Sequence, residues 1–245
     1  MQTSTLYLSI IVPAHNEESR LADTLAQLWD FCESQPFTTE IIIAENASVD
    51  QTLEIARDYA DDHPGILVLH DERPGKGLAI QAGMLVAQGE YRFICDADLS
   101  MPVKEITRFL PPSLEGVDIA IASREAPGAI RYNEPAMRHF VGRVFNNLVR
   151  LIILPGLQDT QCGFKCFTQE AAEILFPLQT VTGWTFDVEI LAIAQRLGFN
   201  IVEVPIPWYY YGNSKVRVLK DSMKMALDLL RIRASIHKRK FKRLK

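Results

Sequence analysis

Short apolar runs alternate with helical patterns through the first half of this 245-residue chain. Such alternation is typical of βαβ units, in which parallel strands build a central sheet and helices cover its two faces. The strands are predicted at residues 6–12, 39–44, 66–70, 91–95 and 117–122. The sequence therefore predicts an α/β, Rossmann-like fold with a mostly parallel central sheet flanked by helices.

The second half continues this fold with a less regular pattern. We expect helices at 137–154 and 185–197, strands at 161–168 and 200–205, and a C-terminal amphipathic helix from about residue 216. No linker rich in Gly, Pro or Ser separates these elements. We therefore assign residues 1–215 to one domain, and residues 216–245 to a basic amphipathic helix and tail that is part of it or peripheral to it.

Charge is distributed unevenly, although the formal net charge is only −4. From Lys215 to Lys245 there are 12 Lys and Arg residues but only two acidic ones, Asp221 and Asp228. Such a tail favours an anionic partner, either a membrane surface or nucleic acid. The sequence has neither a secretory signal pattern nor an apolar stretch of the roughly 20 residues that span a bilayer. We therefore expect a cytoplasmic protein, and if the partner of the tail is a membrane, the contact should be peripheral and on its cytoplasmic face.

Two carboxylates follow the strand predicted at 91–95. Asp96 and Asp98 would share one face of an extended segment, at the strand end where ligands gather in open α/β sheets. Carboxylates so placed can hold a hard divalent cation together with phosphate oxygens. The pair therefore predicts a site for Mg²⁺ or Mn²⁺, the alternative being two ordinary surface residues.

Three more strand-end loops carry polar residues. They read Pro-Ala-His-Asn-Glu at 13–17, Glu-Asn-Ala-Ser-Val-Asp at 45–50 and Arg-Pro-Gly-Lys-Gly at 73–77. The first two can hydrogen-bond a base or ribose, and can equally serve as turns and helix caps. In the third, glycine allows backbone N–H groups close to a phosphate, and Lys76 supplies positive charge. Each loop alone is ambiguous.

In this order, and followed by Asp-Thr-Gln-Cys-Gly-Phe-Lys at 159–165, the motifs resemble family 2 glycosyltransferases of the GT-A fold. The run at 186–189 and the Gly-x-Ser-Lys-Val pattern at 212–216 are most similar to the polyprenyl-phosphate subgroup, which includes dolichyl-phosphate β-glucosyltransferases and dolichol-phosphate mannose synthases. The resemblance implies that residues 1–215 are the catalytic domain of a metal-dependent hexosyltransferase. Its donor would be a nucleoside-diphosphate sugar, UDP-glucose being favoured over GDP-mannose, and its acceptor a polyprenyl phosphate.

The resemblance also implies roles for the matching residues. Contacts to the nucleotide sugar fall to Pro13, Ala14, Asn16, Glu17, Glu45, Ser48, Lys76, Asp96, Ala97 and Gln161. Binding of the acceptor phosphate falls to Arg124, Arg138, Ser214 and Lys215. Metal binding falls to Asp96 and Asp98, and catalytic roles to Asp96, Asp98, Arg124, Asp187 and Glu189.

The acceptor decides which chemistry is needed. The resembled family inverts the anomeric carbon, which implies one in-line displacement. A phosphate acceptor is already ionised at neutral pH, whereas a hydroxyl acceptor needs a carboxylate base. Asp187 and Glu189 could therefore either position the sugar or act as that base, and the sequence leaves both roles open.

Two alternative functions remain. One is a glycosyltransferase that acts on a saccharide or soluble acceptor, and the other is a non-catalytic module that binds a nucleotide sugar or nucleic acid. The Asp pair argues against the module, so we expect no nucleic-acid partner.

Two apolar stripes recur at helical spacing near the basic residues. They are Phe140, Val144, Leu148, Leu151 and Ile152, and Val216, Leu219, Met223, Leu227 and Leu230. Amphipathic helices usually pack on the core of their own domain, and that is the interpretation we favour. The alternative is that they lie in the interface of an anionic membrane.

Overall fold

A seven-stranded mixed sheet forms the centre of the computed structural model, which describes residues 6–212, 218–239 and 241. Its strand order is β3-β2-β1-β4-β7-β5-β8. These strands are β1 (Leu8–Ala14), β2 (Thr39–Asn46), β3 (Ile66–Asp71), β4 (Tyr91–Ile94), β5 (Ile119–Ser123), β7 (Lys165–Thr168) and β8 (Ile201–Pro205). β6 (Ile130–Tyr132) and β9 (Pro207–Tyr209) pair in a separate small sheet.

Helices cover both faces of the central sheet. They are α1 (Leu21–Glu33), α2 (Thr52–Asp62), α3 (Lys76–Val86), α4 (Ala136–Ile152), α5 (Gln169–Leu175), α6 (Phe186–Leu197) and α7 (Val218–Lys238). Short 3₁₀ helices occupy Val103–Phe109 and Phe176–Leu178. One core cluster joins the sheet to α1 and α2, and the other joins it to α3, α5 and α6. The predicted α/β fold with flanking helices is confirmed.

The continuous apolar character of β1 reflects burial on both faces. Ile10 and Val12 belong to one core cluster and Ile11 to the other, and all three are fully buried. Alternate side chains of a strand point to opposite faces, so a strand covered by helices on both sides needs apolar residues at successive positions. Because β1 is buried in this way, its carboxyl end has a fixed position at the edge of the sheet.

One strand runs against the others. β7 pairs antiparallel with both β4 and β5, whereas the remaining neighbours in the sheet are parallel. Lys165, the first residue of β7, pairs with Ile94 at the end of β4 and with Ile121 in β5. The turn before β7 therefore lies beside the carboxyl ends of its neighbours. β7 is shorter than the predicted strand at 161–168, because residues 159–164 belong to this turn.

The C-terminal helix belongs to the same packed body. Leu229, Ile232 and Ile236 of α7 are buried in the cluster that α6 also joins. Residue 216, where this helix was predicted to begin, lies outside the described residues. In the described part of the chain, no helix combines the length and apolarity that a membrane span requires.

Candidate active site

A cleft of about 1390 Å³ opens at the carboxyl edge of the sheet. Its walls come from the loops after β1, β3, β4 and β5, and from α4, α6, α7 and β9. Sites for drug-sized molecules typically enclose roughly 300–1,000 Å³. The cleft therefore has room for a ligand as large as a nucleotide sugar and for part of a second molecule.

Asp96 and Asp98 line the cleft, in the loop that follows β4. Asp98 Oδ1 accepts a hydrogen bond from the Ser100 N–H at 3.0 Å, which closes a tight turn. Asp96 Oδ1 is buried and pairs with Lys76 Nζ at 2.5 Å. Carboxylate oxygens such as those of Asp96 and Asp98 are the ligands that hard divalent cations prefer.

Gly163 makes room for Asp96. A Cβ atom at position 163 would lie 2.0 Å from Asp96 Oδ2, far inside van der Waals contact. The turn before β7 therefore needs glycine here, because any side chain would displace the carboxylate.

Lys76 begins α3 and reaches the same carboxylate. Burial lowers the pKa of Lys76, but the carboxylates of Asp96 and Asp187 raise it by more, so the ammonium stays charged. Nζ also lies 5.6 Å from the centre of the Trp184 ring. Lys76, Asp96 and Asp98 together form what we call the carboxylate end of the cleft.

The first loop supplies the adjoining wall. Pro13, Ala14, Asn16 and Glu17 line the cleft, as do Ala97 and Gln161. The Gln161 side chain donates to the Trp184 carbonyl at 3.3 Å. Six residues predicted to contact the nucleotide sugar thus lie together along one side.

Glu45 and Ser48 lie behind this wall and do not line the cleft. Glu45 is buried and accepts hydrogen bonds from the Ser48 N–H and from His70. Ser48 Oγ in turn accepts from the Asn16 N–H at 3.0 Å. The two residues support the first loop, and their predicted contact with the nucleotide stays a prediction. Asn46, which sequence reasoning did not select, lines the cleft and donates to the carbonyls of Arg73 and Gly75.

Arg124 follows β5 and is held by a buried carboxylate. Its Nε and Nη2 donate to the two oxygens of Asp159 at 2.6 and 2.9 Å, and its backbone N–H also donates to Asp159. Burial raises the pKa of Asp159, but Arg124 lowers it by more, to about 2. The guanidinium also lies 5.4 Å from the centre of the Trp208 ring. The charge of Arg124 is thus largely balanced before any ligand arrives.

Two more arginines stand near Arg124. Arg131 in β6, which sequence reasoning missed, donates to Glu125 and Glu134, both at 2.6 Å. Arg138 in α4 is held more loosely: its Nε lies 3.9 Å from Glu134, and its guanidinium lies 5.0 Å from the centre of the Tyr210 ring. All three line the cleft, and we call them the arginine end. Arg138 is the member best able to turn towards an anion.

The two acidic residues of α6 have different surroundings. Glu189 accepts hydrogen bonds from the N–H groups of Thr180 and Val181, both at 2.7 Å, so its carboxylate fastens the loop on which they lie. Asp187 Oδ1 pairs with Lys165 Nζ at 2.8 Å, and no hydrogen bond from the described residues reaches its Oδ2. Both residues line the cleft, and Asp187 is the one with an oxygen open to a ligand.

Two predicted acceptor residues, Ser214 and Lys215, lie outside the described residues. The remaining candidates, Arg124 and Arg138, come together at the arginine end. Arg131 could not be selected from the sequence, because β6 has just three residues and is too short to show a strand pattern. Its basic side chain was the one available signal.

Residues 9–176 match a family model described as Glycosyl transferase family 2. A dolichyl-phosphate beta-glucosyltransferase of Trichomonas vaginalis is 39% identical over 241 residues, which cover 94% of this chain and 71% of that protein. The human dolichyl-phosphate beta-glucosyltransferase is 33% identical over 248 residues, covering 94% and 75%.

Solved structures show the same fold. Glucosyl-3-phosphoglycerate synthase of Mycobacterium tuberculosis, in complex with Mn²⁺, UDP-glucose and phosphoglyceric acid, matches with a TM-score of 0.67. The identity is 19%, and the match covers 94% of this chain and 79% of that one. At this identity the match concerns the fold, and it confirms the predicted GT-A architecture.

Proposed function

We propose that this chain, which belongs to glycosyl transferase family 2, transfers glucose from UDP-glucose to the phosphate group of a polyprenyl phosphate. Family membership makes it a glycosyltransferase, as the sequence predicted. The observation that supports this donor and acceptor is the charge of the cleft lining, which combines two carboxylates and a lysine with three arginines. Such a cleft suits a metal-bound diphosphate and an anionic acceptor.

The choice of donor is supported by the relatives. Those named above are glucosyltransferases, and the solved neighbour was crystallised with UDP-glucose. In this chain, the donor would lie with its nucleoside along the wall formed by the first loop and its diphosphate near Lys76. GDP-mannose is the second donor to test.

A divalent cation fits Asp96 and Asp98. Both offer hard oxygen donors, and the part of the chain that the structure describes has no cluster of three or more His, Cys, Asp or Glu residues that would complete a cage. Mg²⁺ is commonly held in this way, by one or two carboxylates together with substrate phosphates. When bound, Mg²⁺ or Mn²⁺ stabilises the negative charge that develops on the departing diphosphate.

The chemistry is a single displacement at the anomeric carbon of glucose. An oxygen of the acceptor phosphate forms a bond to this carbon, the bond from the carbon to the UDP oxygen breaks, and UDP leaves with the electron pair. The acceptor phosphate is already ionised at neutral pH, so no protein base has to remove a proton. The residues of the chain have to align two anions, and Lys76 and Arg138 offset their mutual repulsion.

Arg138 is the main acceptor ligand in this proposal. Arg124 and Arg131 are each engaged with nearby carboxylates, whereas the one ion pair of Arg138 within the described residues is the long contact with Glu134. A guanidinium can bind a phosphate through two parallel N–H groups. Arg124 and Arg131 then contribute a positive field and hold the shape of the arginine end.

The lipid chain of the acceptor requires a membrane, and α4 carries a surface suited to one. Met137, Phe140, Val144 and Leu151 are exposed, with fractions of 73, 65, 53 and 83%. The exposed Arg143 and Arg150 belong to the same helix. Apolar side chains interspersed with arginines are typical of helices that lie in an anionic membrane interface. We therefore propose peripheral attachment through this surface.

The test is transfer of label from radiolabelled UDP-glucose. The purified chain is incubated with Mg²⁺ or Mn²⁺ and polyprenyl phosphate in vesicles, and label is followed into the organic phase; a variant with Asp96→Ala and Asp98→Ala is the control. We expect organic-extractable glucose with the wild type alone. Label in water-soluble saccharide would support a soluble acceptor, and no transfer from UDP-glucose or GDP-mannose would refute the proposal.

A further inference from the structure

A buried lysine near the cleft takes no direct part in the proposed glucose transfer. Lys165 is 2% exposed, and its Nζ lies 2.5 Å from the Cys162 carbonyl and 2.8 Å from Asp187 Oδ1. Burying an ammonium costs several kcal/mol unless a partner offsets the loss of hydration. A methionine would fill similar space without that cost, so the charge itself calls for an explanation.

Lys165 belongs to one of three ion pairs formed by residues around the cleft. Arg124 pairs with Asp159, Lys76 pairs with Asp96, and Lys165 pairs with Asp187. The pair of Lys165 and Asp187 is coupled to both of the others, since the charge of Lys165 lowers the pKa of Asp159 and the charge of Asp187 raises the pKa of Lys76. Each of the three carboxylates thus has a cation beside it.

The turn at 159–165 connects all three pairs. Asp159 holds Arg124, Gly163 leaves space for Asp96, and Lys165 holds Asp187. Asp159 is itself fixed, because its N–H donates to Glu203 at 2.9 Å. Lys165 is therefore anchored by a rigid turn as well as by the sheet.

Asp187 lines the cleft, as do Gln161 and Trp184. It is 6% exposed; the Lys165 ammonium engages its Oδ1, and no hydrogen bond from the described residues reaches its Oδ2, in contrast to the fully engaged Glu189 on the same helix. A nearly buried carboxylate that faces a cleft with unused acceptor capacity is suited to hydroxyl donors. A sugar joined to a diphosphate at the carboxylate end would present such hydroxyls.

We propose that Lys165 is a positioning residue, which fixes the Asp187 carboxylate so that it accepts hydrogen bonds from hydroxyl groups of the donor sugar. The inference rests on the proposed function, because it assumes a nucleotide-sugar donor. Lys165 touches no ligand in this arrangement. It orients Asp187 and balances its charge. The site should therefore bind the nucleotide sugar more tightly than the free nucleotide.

The experiment compares binding of UDP-glucose with binding of UDP by calorimetry in the presence of Mn²⁺. The preference is the ratio of the affinity for UDP-glucose to the affinity for UDP. In Lys165→Met and Asp187→Asn, we expect this ratio to fall at least about tenfold, because one hydrogen bond to a charged group is lost. Affinity for UDP should stay within about threefold of wild type. Lys165→Arg, which keeps the charge, should retain most of the preference.

Arg92→Met is the matched control, since Arg92 is also buried and paired with a carboxylate, Glu173, outside the cleft. It should lose stability but keep the preference. If Asp187→Asn keeps the wild-type preference, the inference is wrong, and this holds even if Lys165→Met does not fold. If both variants fold and only Asp187→Asn loses the preference, Lys165 has no positioning role. A wild type that binds no UDP-glucose overturns the proposed function and the inference with it.

Discussion

The carboxylate end and the arginine end of the cleft hold their charges in different ways. Asp96 and Asp98 lie in one tight turn directly after a buried strand, and Lys76 begins the helix that follows the neighbouring loop. Arg124 is held instead by Asp159, which lies 35 residues away in the chain. Arg131 is held by Glu125 and Glu134. Backbone turns therefore define the carboxylate end, whereas side-chain pairing across the fold defines the arginine end.

The largest effect is expected at the carboxylate end. Asp98→Asn keeps an oxygen that can accept from the Ser100 N–H, and removes the negative charge. We expect kcat/KM for glucose transfer to fall by about 10²–10³, the range found when one preorganised electrostatic contact is lost. Asp23→Asn, at an exposed position of α1, is the control and should transfer at the wild-type rate. Near-normal transfer by Asp98→Asn would remove the distinction between the two ends.

The arginine end should respond in stability. Asp159→Asn leaves Arg124 buried without its counter-charge, which costs roughly 3–5 kcal/mol in the free energy of unfolding at pH 7. Urea unfolding measures this loss. Asp71→Asn, which breaks a solvent-exposed pair with Arg73, is the matched control and should change stability little.

The same variant has a predicted pH dependence. The pKa of Asp159 is lowered to about 2 in the folded protein, below its ordinary value near 4. A lowered pKa stabilises the fold above the unfolded value, and that stabilisation is lost as pH falls through the folded value. The difference between wild type and Asp159→Asn should therefore be full above about pH 4 and shrink towards pH 2. A difference that did not change between pH 5 and pH 2 would contradict the ion pair.

Arg138→Ala should separate acceptor binding from donor binding. Loss of a hydrogen bond to a charged group corresponds to a rise of roughly 10- to 100-fold in KM for polyprenyl phosphate. KM for UDP-glucose should not change, because Arg138 contacts Glu134 and Tyr210 and not the residues proposed to hold the donor diphosphate. Arg57→Ala removes an exposed arginine of α2, which does not line the cleft, and is the control. Equal rises in both KM values would contradict a dedicated acceptor site.

The smallest effect is expected outside the cleft. Leu151→Ser on the exposed surface of α4 should weaken binding to anionic vesicles by roughly 3- to 10-fold, because serine buries less apolar surface in the membrane than leucine does. Transfer to a short, detergent-dissolved acceptor should remain normal. Leu67→Ser, in the edge strand β3, should leave vesicle binding unchanged. If both variants bind vesicles as well as wild type, α4 does not face the membrane.

The carboxylate end could be predicted because its determinants are local. An apolar run followed by Asp-Ala-Asp is enough to expect a strand end with two carboxylates on it. The arginine end could not be predicted in the same way, because the contact of Arg124 with Asp159 depends on β7 entering the sheet antiparallel. Sequence patterns predict that a strand exists more readily than they predict its direction.

The apolar stripe of α4 shows a second limit. We expected it to pack on the core, which is wrong for Phe140, Val144 and Leu151, whereas Leu148 and Ile152 do pack there. This helix has apolar residues on more than one side, so periodicity alone could not choose the buried face. In α7, Leu227 and Leu230 are likewise exposed. Val216 and the side chains of Leu219 and Met223 lie outside the described residues.

The proposed acceptor is an anion that arginines hold and that needs no base. The rate of glucose transfer from UDP-glucose should be measured with polyprenyl phosphate and with the matching polyprenol, which lacks only the phosphate. The account predicts rapid transfer to the phosphate and no detectable transfer to the alcohol. Comparable transfer to both acceptors, or transfer to the alcohol alone, would contradict it.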